Sequence, residues 1–247
     1  MIEIKAEHEI DHIKDAGTII KKVFKVLSNN IRPGISTFEL DKTAEEIIRN
    51  EKGIPAFKGF MGYPATICSS VNESVVHEIP SKKRILKDGD IIGVDIGVGI
   101  GGFFADSAYS FVVGNIPDHI KMLLKVTEES LYKGIEQACD GNRVSDISHA
   151  IGSFVEKQGF SVVRQFVGHG IGRNIHEEPE IPNFGEPGRG PRLKAGMVIA
   201  IEPMVNCGSC EVRILPDGWT AVTVDGSISA HFEHTVVIRK GKAEIVT

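Results

Sequence analysis

The chain has 247 residues, of which 41% are hydrophobic and 25% charged, with a formal net charge of −5. That balance excludes wholesale disorder, and the length allows one large domain with a sizeable core. No basic stripe and no apolar stretch of bilayer length is present, so neither nucleic-acid recognition nor membrane insertion is expected.

The elements read as mixed α and β. Ile10, Ile13, Ile20, Phe24 and Leu27 fall at helical spacing and predict a helix over about 7–28. Met1–Lys5 carries no apolar leader run, so the cytoplasm is the expected compartment. Ser36-Thr37-Phe38-Glu39 is a capping box that opens a second helix through Leu40, Ala44, Ile47 and Ile48. Lys82-Lys83-Arg84 is short and reads as a solvated turn. Strands are predicted at Ile91–Asp95, Phe103–Val113, Met197–Glu202, Trp219–Val224 and Ala230–Ile238. Pro117-Asp118 precedes a third helix through Leu123, Val126, Leu131 and Ile135, and a fourth runs from about Ser145 to Lys157. Four cysteines do not make a disulfide scaffold, and Cys207-Gly208-Ser209-Cys210 reads as a hairpin with incidental thiols.

One spacing recurs. Leu86-Lys87-Asp88-Gly89 leads to Asp95 as Leu193-Lys194-Ala195-Gly196 leads to Glu202, and Gly34 corresponds to Gly141; the offset is 107 each time. The repeat predicts one domain over 1–247 built of two related halves, about 30–113 and 137–238. It places Asp95 and Glu202 at equivalent strand ends.

The chemistry lies in acids set among apolar residues. Asp95 follows Ile91-Ile92-Gly93-Val94, and Asp106 comes eleven positions on, past Gly97, Gly99, Gly101 and Gly102, as in a hairpin. Glu202 follows Val198-Ile199-Ala200-Ile201, and Glu233 lies within Ala230–Val237. His169 stands in Gly168-His169-Gly170-Ile171-Gly172, where the glycines leave the imidazole open. Carboxylates in apolar strands are costly unless paired or bound to cations. One imidazole with four carboxylates suits Mn, Fe or Co, with Zn allowed, and does not suit a thiolate zinc site.

The ordered set Val94-Asp95-Ile96-Gly97, Ala105-Asp106-Ser107, Gly168–Gly172, Ile201-Glu202-Pro203-Met204 and Phe232-Glu233-His234-Thr235 resembles the five-ligand site of the methionine aminopeptidases. The resemblance spans nearly the whole chain and is to the short bacterial type I form. It lacks the zinc-binding extension and the large helical insertion of other forms. The resemblance implies the pita-bread α/β (α+β) fold, two pseudo-symmetric helix–strand halves around a curved antiparallel sheet. It implies two divalent ions on Asp95, Asp106, His169, Glu202 and Glu233. It also implies substrate contacts from His77, in Asn72–Pro80, and from His176, in Asn174–Pro179. Phe60, Tyr63, Cys68 and Trp219 are implied to line the methionine pocket.

The activity so implied is removal of the N-terminal methionine from nascent chains and peptides with a small second residue. A hydroxide bridging the ions would attack the carbonyl. His77, His176 and Glu202 would be the catalytic groups, with Glu202 also a proton shuttle. The expected partners are nascent N-termini, with the ribosome a further candidate, and the expected state is a monomer. Several positions depart from the family's usual pattern. Phe60 replaces a common Tyr, Phe57 a smaller residue, Gly97 a hydroxyl or amide residue, Ser107 a Thr and His231 a Gln. Two alternatives remain: an X-Pro dipeptidase or aminopeptidase P-like hydrolase, which shares the ligands, and an inactive binding protein on the same fold.

Overall fold

Four helices form where apolar spacing places them, one of them on a side-chain cap. The computed structural model describes residues 2–247; Met1, the first residue of the segment read for a leader, lies outside them. Helix α1 (Glu7–Asn30) buries Ile10, Ile13, Ala16, Gly17, Ile20, Val23 and Leu27, while Phe24 is half-buried at the stripe's edge. Helix α2 (Thr37–Asn50) opens on the expected box. The Glu39 N–H donates to Ser36 Oγ at 3.2 Å, and the Ser36 N–H donates to the Glu39 carboxylate at 2.9 Å. Helices α3 (Asp118–Gln137) and α4 (Val144–Lys157) complete the set. Among the described residues no helix is long and apolar enough to cross a membrane.

The strands Ile91–Ile100 and Phe103–Val112 form the expected hairpin, turning at Gly101 and Gly102 with φ of +60° and +81°. The first strand runs five residues beyond Asp95, so this acid sits in mid-strand rather than at a strand end. The glycines explain the difference: Gly97 and Gly99 remain in the ladder, and only the last two make the turn. Ile54–Pro55 and Ile67–Val71 complete an antiparallel four-stranded sheet. A five-stranded sheet carries Gly168–Gly170, Glu177–Ile181, Val198–Ile201, His234–Val237 and Glu244–Ile245. The expected strand Ala230–Ile238 is broken at Phe232-Glu233. Ser229–His231 pairs with Met204–Asn206, whereas His234–Val237 pairs with Val198–Ile201. Arg84 is no free cation of a solvated turn: its guanidinium donates to the Val71 carbonyl at 3.0 Å and lies 3.3 Å from the Glu78 carboxylate.

Each pair of helices covers its own core. One core gathers α1 and α2 over Ile92, Val94, Ile96 and Val98; the other gathers α3 and α4 over Ile199, Ile201 and Val236. Hydrogen bonds recur at the 107-residue offset. The Gly34 N–H donates to the Leu86 carbonyl at 2.8 Å, and the Gly141 N–H to the Leu193 carbonyl at 3.0 Å. The Leu86 N–H donates to Ile35 as the Leu193 N–H donates to Asn142, both at 2.8 Å. The two sheets meet along Phe103–Val112, where the Glu233 N–H donates to the Ala108 carbonyl at 2.9 Å and Ser107 Oγ donates to the Glu233 carbonyl at 2.6 Å.

Gly34 and Gly141 share φ of +93° and +96°, and an added Cβ at either meets nothing within 4 Å. Gly34→Ala and Gly141→Ala are therefore expected to cost only the left-handed backbone, about 1–2 kcal/mol each. Urea unfolding measures both; a loss at one position alone contradicts the equivalence of the two turns.

Candidate metal centre and pocket

Strand register brings the acids together. Asp95 opposes Ala108 and Asp106 opposes Gly97, so both carboxylates leave the same face of the hairpin. His169 is the middle residue of Gly168–Gly170 and opposes Ala200. Glu202 follows Val198–Ile201 directly, and Glu233 occupies the break before His234–Val237. All five line one cavity of about 180 Å³. Single donor atoms of Asp106, His169 and Glu233 lie within 4.8 Å of one another. His169 Nε2 is 3.5 Å from both Asp106 Oδ2 and Glu202 Oε1.

The arrangement is electrostatically unstable without a cation. Asp106 and Glu233 are 2% and 3% exposed. Burial raises the pKa of Asp95, Glu202 and Glu233 well above the usual carboxylate range, and their neighbours' charges add to the rise. Burial brings Asp106 up to about 6. Among the described residues Asp95 Oδ1 has no hydrogen-bond partner. Burial lowers His169 to about 4, so the ring is neutral. Its Nδ1 faces the Gly170 carbonyl at 2.9 Å. A carbonyl only accepts, so Nδ1 carries the proton and Nε2 presents a bare lone pair. Four carboxylates, an orphaned oxygen and a neutral imidazole nitrogen fit hard or borderline divalent cations.

Neighbouring groups fix the acids. The Thr235 hydroxyl donates to the Asp106 carbonyl at 2.8 Å and lies 3.1 Å from Asp106 Oδ1, while accepting the Asp106 N–H at 3.1 Å. His231 Nε2 is buried without a partner, 3.8 Å from Glu202 Oε2. The glycines around His169 do not serve to open the imidazole, as the sequence suggested. A Cβ on Gly168 would overlap the Ala200 carbonyl, one on Gly170 the Glu178 carbonyl, and one on Gly172 the Lys5 side chain. They permit close packing around the ring.

The same cavity is lined by His77, His176, Phe60, Tyr63, Cys68 and Trp219, and also by Phe57 and Met61. His77 has φ of +61°, a strained conformation for a residue with a Cβ, of the kind held at functional sites. Burial lowers its imidazole to about 4. His176 packs edge-on to His169 and Phe60, with ring centroids 4.3 and 5.3 Å apart. Tyr63 and Trp219 meet edge-on at 5.1 Å, and the Tyr63 hydroxyl donates to the Ile67 carbonyl at 3.0 Å. Burial raises the pKa of the Cys68 thiol, which keeps it protonated and apolar in character. Gly97 and Phe57 form a matched pair, since a Cβ at Gly97 would stand 2.7 Å from Phe57 Cε1. The small residue at one position makes room for the ring at the other. Thr235 and this notch escaped sequence reasoning. Thr235 lies beside a recognised acid, but its bond to Asp106 spans 129 residues.

Residues 11–240 match metallopeptidase family M24. The methionine aminopeptidase of Clostridium perfringens is 54% identical to this chain over 247 residues, covering 100% of this chain and 99% of that protein. The Escherichia coli methionine aminopeptidase is 41% identical, covering 100% and 94%. The crystal structure of methionine aminopeptidase from Thermotoga maritima superposes with a TM-score of 0.99 at 45% identity, covering 100% and 99%. The prolidase from Pyrococcus furiosus shares the fold alone, with a TM-score of 0.77 at 21% identity over 99% of this chain and 65% of that one. The expected pita-bread architecture is the one these structures have in common.

The shifted groups predict a pH dependence. Asp95, Glu202 and Glu233 have raised folded pKa values, so their contribution to stability is lost as pH rises through those values. His77, His169 and His231, lowered by burial to about 4, 4 and 3, act oppositely and lose stability as pH falls through the ordinary histidine value of 6.5. Above about pH 7.5 the histidines are neutral in both states, and only the acids' slope remains. A divalent ion relieves the acids' repulsion, so the rise in melting temperature it gives the chelated protein should grow as pH rises through neutrality. Melting curves with and without chelator measure it; a metal-induced rise that does not grow with pH contradicts the assignment.

Proposed function

The chain belongs to metallopeptidase family M24, and on that premise we propose that it acts as a methionine aminopeptidase, removing the first residue from peptides and nascent chains whose second residue is small. What carries this reading is one cavity that joins the four carboxylates and His169 to His77, His176 and an apolar wall of Phe57, Phe60, Tyr63, Cys68 and Trp219.

Asp95, Asp106, His169, Glu202 and Glu233 hold the metal, two ions per chain, drawn from Co, Mn, Fe or Zn. Bound divalent ions supply Lewis acidity and lower the pKa of water toward neutrality. The polypeptide's own groups do the rest. Glu202, whose pKa burial raises, accepts and returns a proton at its carboxylate. An N–H of His176 donates to the scissile carbonyl oxygen as negative charge grows there. His77, neutral and half-buried, contacts the scissile amide nitrogen and assists the departing amine. Phe57, Tyr63, Cys68 and Trp219 enclose the methionine side chain and exclude water. Phe166 stands edge-on to His77 at 5.4 Å and narrows the space for the second residue. In this reading the enzyme works as a monomer on nascent N-termini. Its place is the cytoplasm, where new N-termini emerge from the ribosome.

The chelated protein reconstituted with Mn or Co should release methionine from Met-Ala-Ser and leave an Ala-Pro peptide intact. Cleavage of the Ala-Pro peptide alone would favour the X-Pro reading, and no turnover with any metal a binding protein. His77→Ala should keep its metal content yet lose on the order of 10²-fold or more in kcat/KM; loss of metal would overturn the role given to His77. Gly97→Val should drive Phe57 into the pocket and raise KM for methionyl peptides. An unchanged KM would show that the notch does not shape the pocket.

A further inference from the structure

Lys5 is an unexpected cation in the interior. It is 5% exposed, and its ammonium lies 2.6 Å from Glu177 Oε2 and 2.9 Å from Glu3 Oε2. A buried ammonium is costly unless it is paired, and an apolar side chain of similar shape would serve packing as well or better. The charge therefore needs a purpose beyond stability.

The purpose is visible in what Glu177 does with its other oxygen. Glu177 Oε1 accepts the Asn174 N–H at 3.1 Å, and the Asn174 carbonyl accepts the Gly172 N–H at 3.1 Å. These bonds close the turn that carries His176. The Gly172 carbonyl in turn accepts the Phe104 N–H at 2.8 Å, tying the turn to the hairpin that bears Asp106. A side chain on Gly172 would overlap the Lys5 stem, so the last glycine of the Gly168–Gly172 run is the gap through which Lys5 reaches Glu177. At its own backbone, the Lys5 N–H donates to the Gly196 carbonyl at 2.8 Å, which fixes the root of the stem. His176 lines the cavity yet is exposed as a residue. With edge contacts to Phe60 and His169 as its named aromatic neighbours, it relies on the backbone turn for its placement.

We propose that Lys5 is a positioning residue for catalysis, which acts through Glu177 to hold the His176 turn in register with the scissile carbonyl. The inference rests on the aminopeptidase reading above. A displacement of about 1 Å at a catalytic group costs on the order of 10²-fold in rate, so loss of this tether should be felt in turnover more than in substrate affinity.

The test compares the full-length, Mn-loaded wild type with Lys5→Met, Lys5→Arg, Glu177→Gln and the Lys5→Met/Glu177→Gln double variant. The readouts are kcat and KM on Met-Ala-Ser, metal content and melting temperature for the Mn-loaded proteins, and the His176 imidazole NMR signal for the same proteins loaded with diamagnetic Zn. Lys5→Met should lower kcat by about tenfold to a hundredfold, keep KM within about threefold and keep the metal content. Glu177→Gln should do the same, and the double variant should be no worse than either single change. Lys5→Arg should recover most of the turnover. The His176 signal should shift in Lys5→Met and return in Lys5→Arg. Full kcat and an unmoved His176 signal in Lys5→Met, with only a lowered melting temperature, would overturn the proposal. If Lys5→Met does not fold, Glu177→Gln with wild-type kcat and His176 signal overturns it equally. An inactive wild type would count against the aminopeptidase reading, and the His176 signal would still decide whether Lys5 positions the ring.

Discussion

Mutual repulsion among Asp95, Asp106, Glu202 and Glu233 is the constraint around which the molecule is organised. Burial and one another's charge raise the pKa of three of these carboxylates well above the usual range. Left alone, such a group would take up protons or open to water. The surrounding structure resists the second. Asp106 is clamped by Thr235 across the junction of the two sheets, and the Glu233 backbone is held by Ala108 and Ser107. Opposite charge supplied by divalent cations relieves the repulsion without moving the backbone.

The two-half architecture provides the acids in a form no single sheet would. The first half contributes Asp95 and Asp106 from one face of a hairpin, and the second contributes His169, Glu202 and Glu233 from a five-stranded sheet and its edge. Each half has its own helix pair and its own apolar core, so the seam between them is free to be polar. The histidines stay neutral because they are buried in the seam: burial lowers both His77 and His169 to about 4. Neutral imidazoles neither add to nor cancel the acids' charge; they remain available as donors and lone pairs.

Much of this was legible from residue order. The four helices follow from apolar spacing, and the five motifs that carry the acids and His169 were found from residue order alone and line one cavity. What sequence missed has a common physical cause. Asp95 lies in mid-strand rather than at an end, because a glycine inside a ladder and a glycine in a turn look alike until the register is known. The break at Phe232-Glu233 was hidden in a stretch that reads as one strand, because it reflects a change of pairing partner and not a turn residue. The glycines about His169 were given to the imidazole, yet they serve carbonyls and a side chain far away in sequence. The Gly97–Phe57 notch and the Lys5–Glu177 pair depend on approach across 40 and 172 residues, and no local pattern announces them.

The central claim is that cations, and not protonation, balance the four carboxylates in the working protein. Calorimetric titration of the chelated protein with Mn at neutral pH, repeated in buffers of different ionisation enthalpy, measures the ions bound and the protons displaced together. The account predicts two ions per chain with net release of protons from the carboxylates. Absence of binding, or binding without proton release, would contradict it.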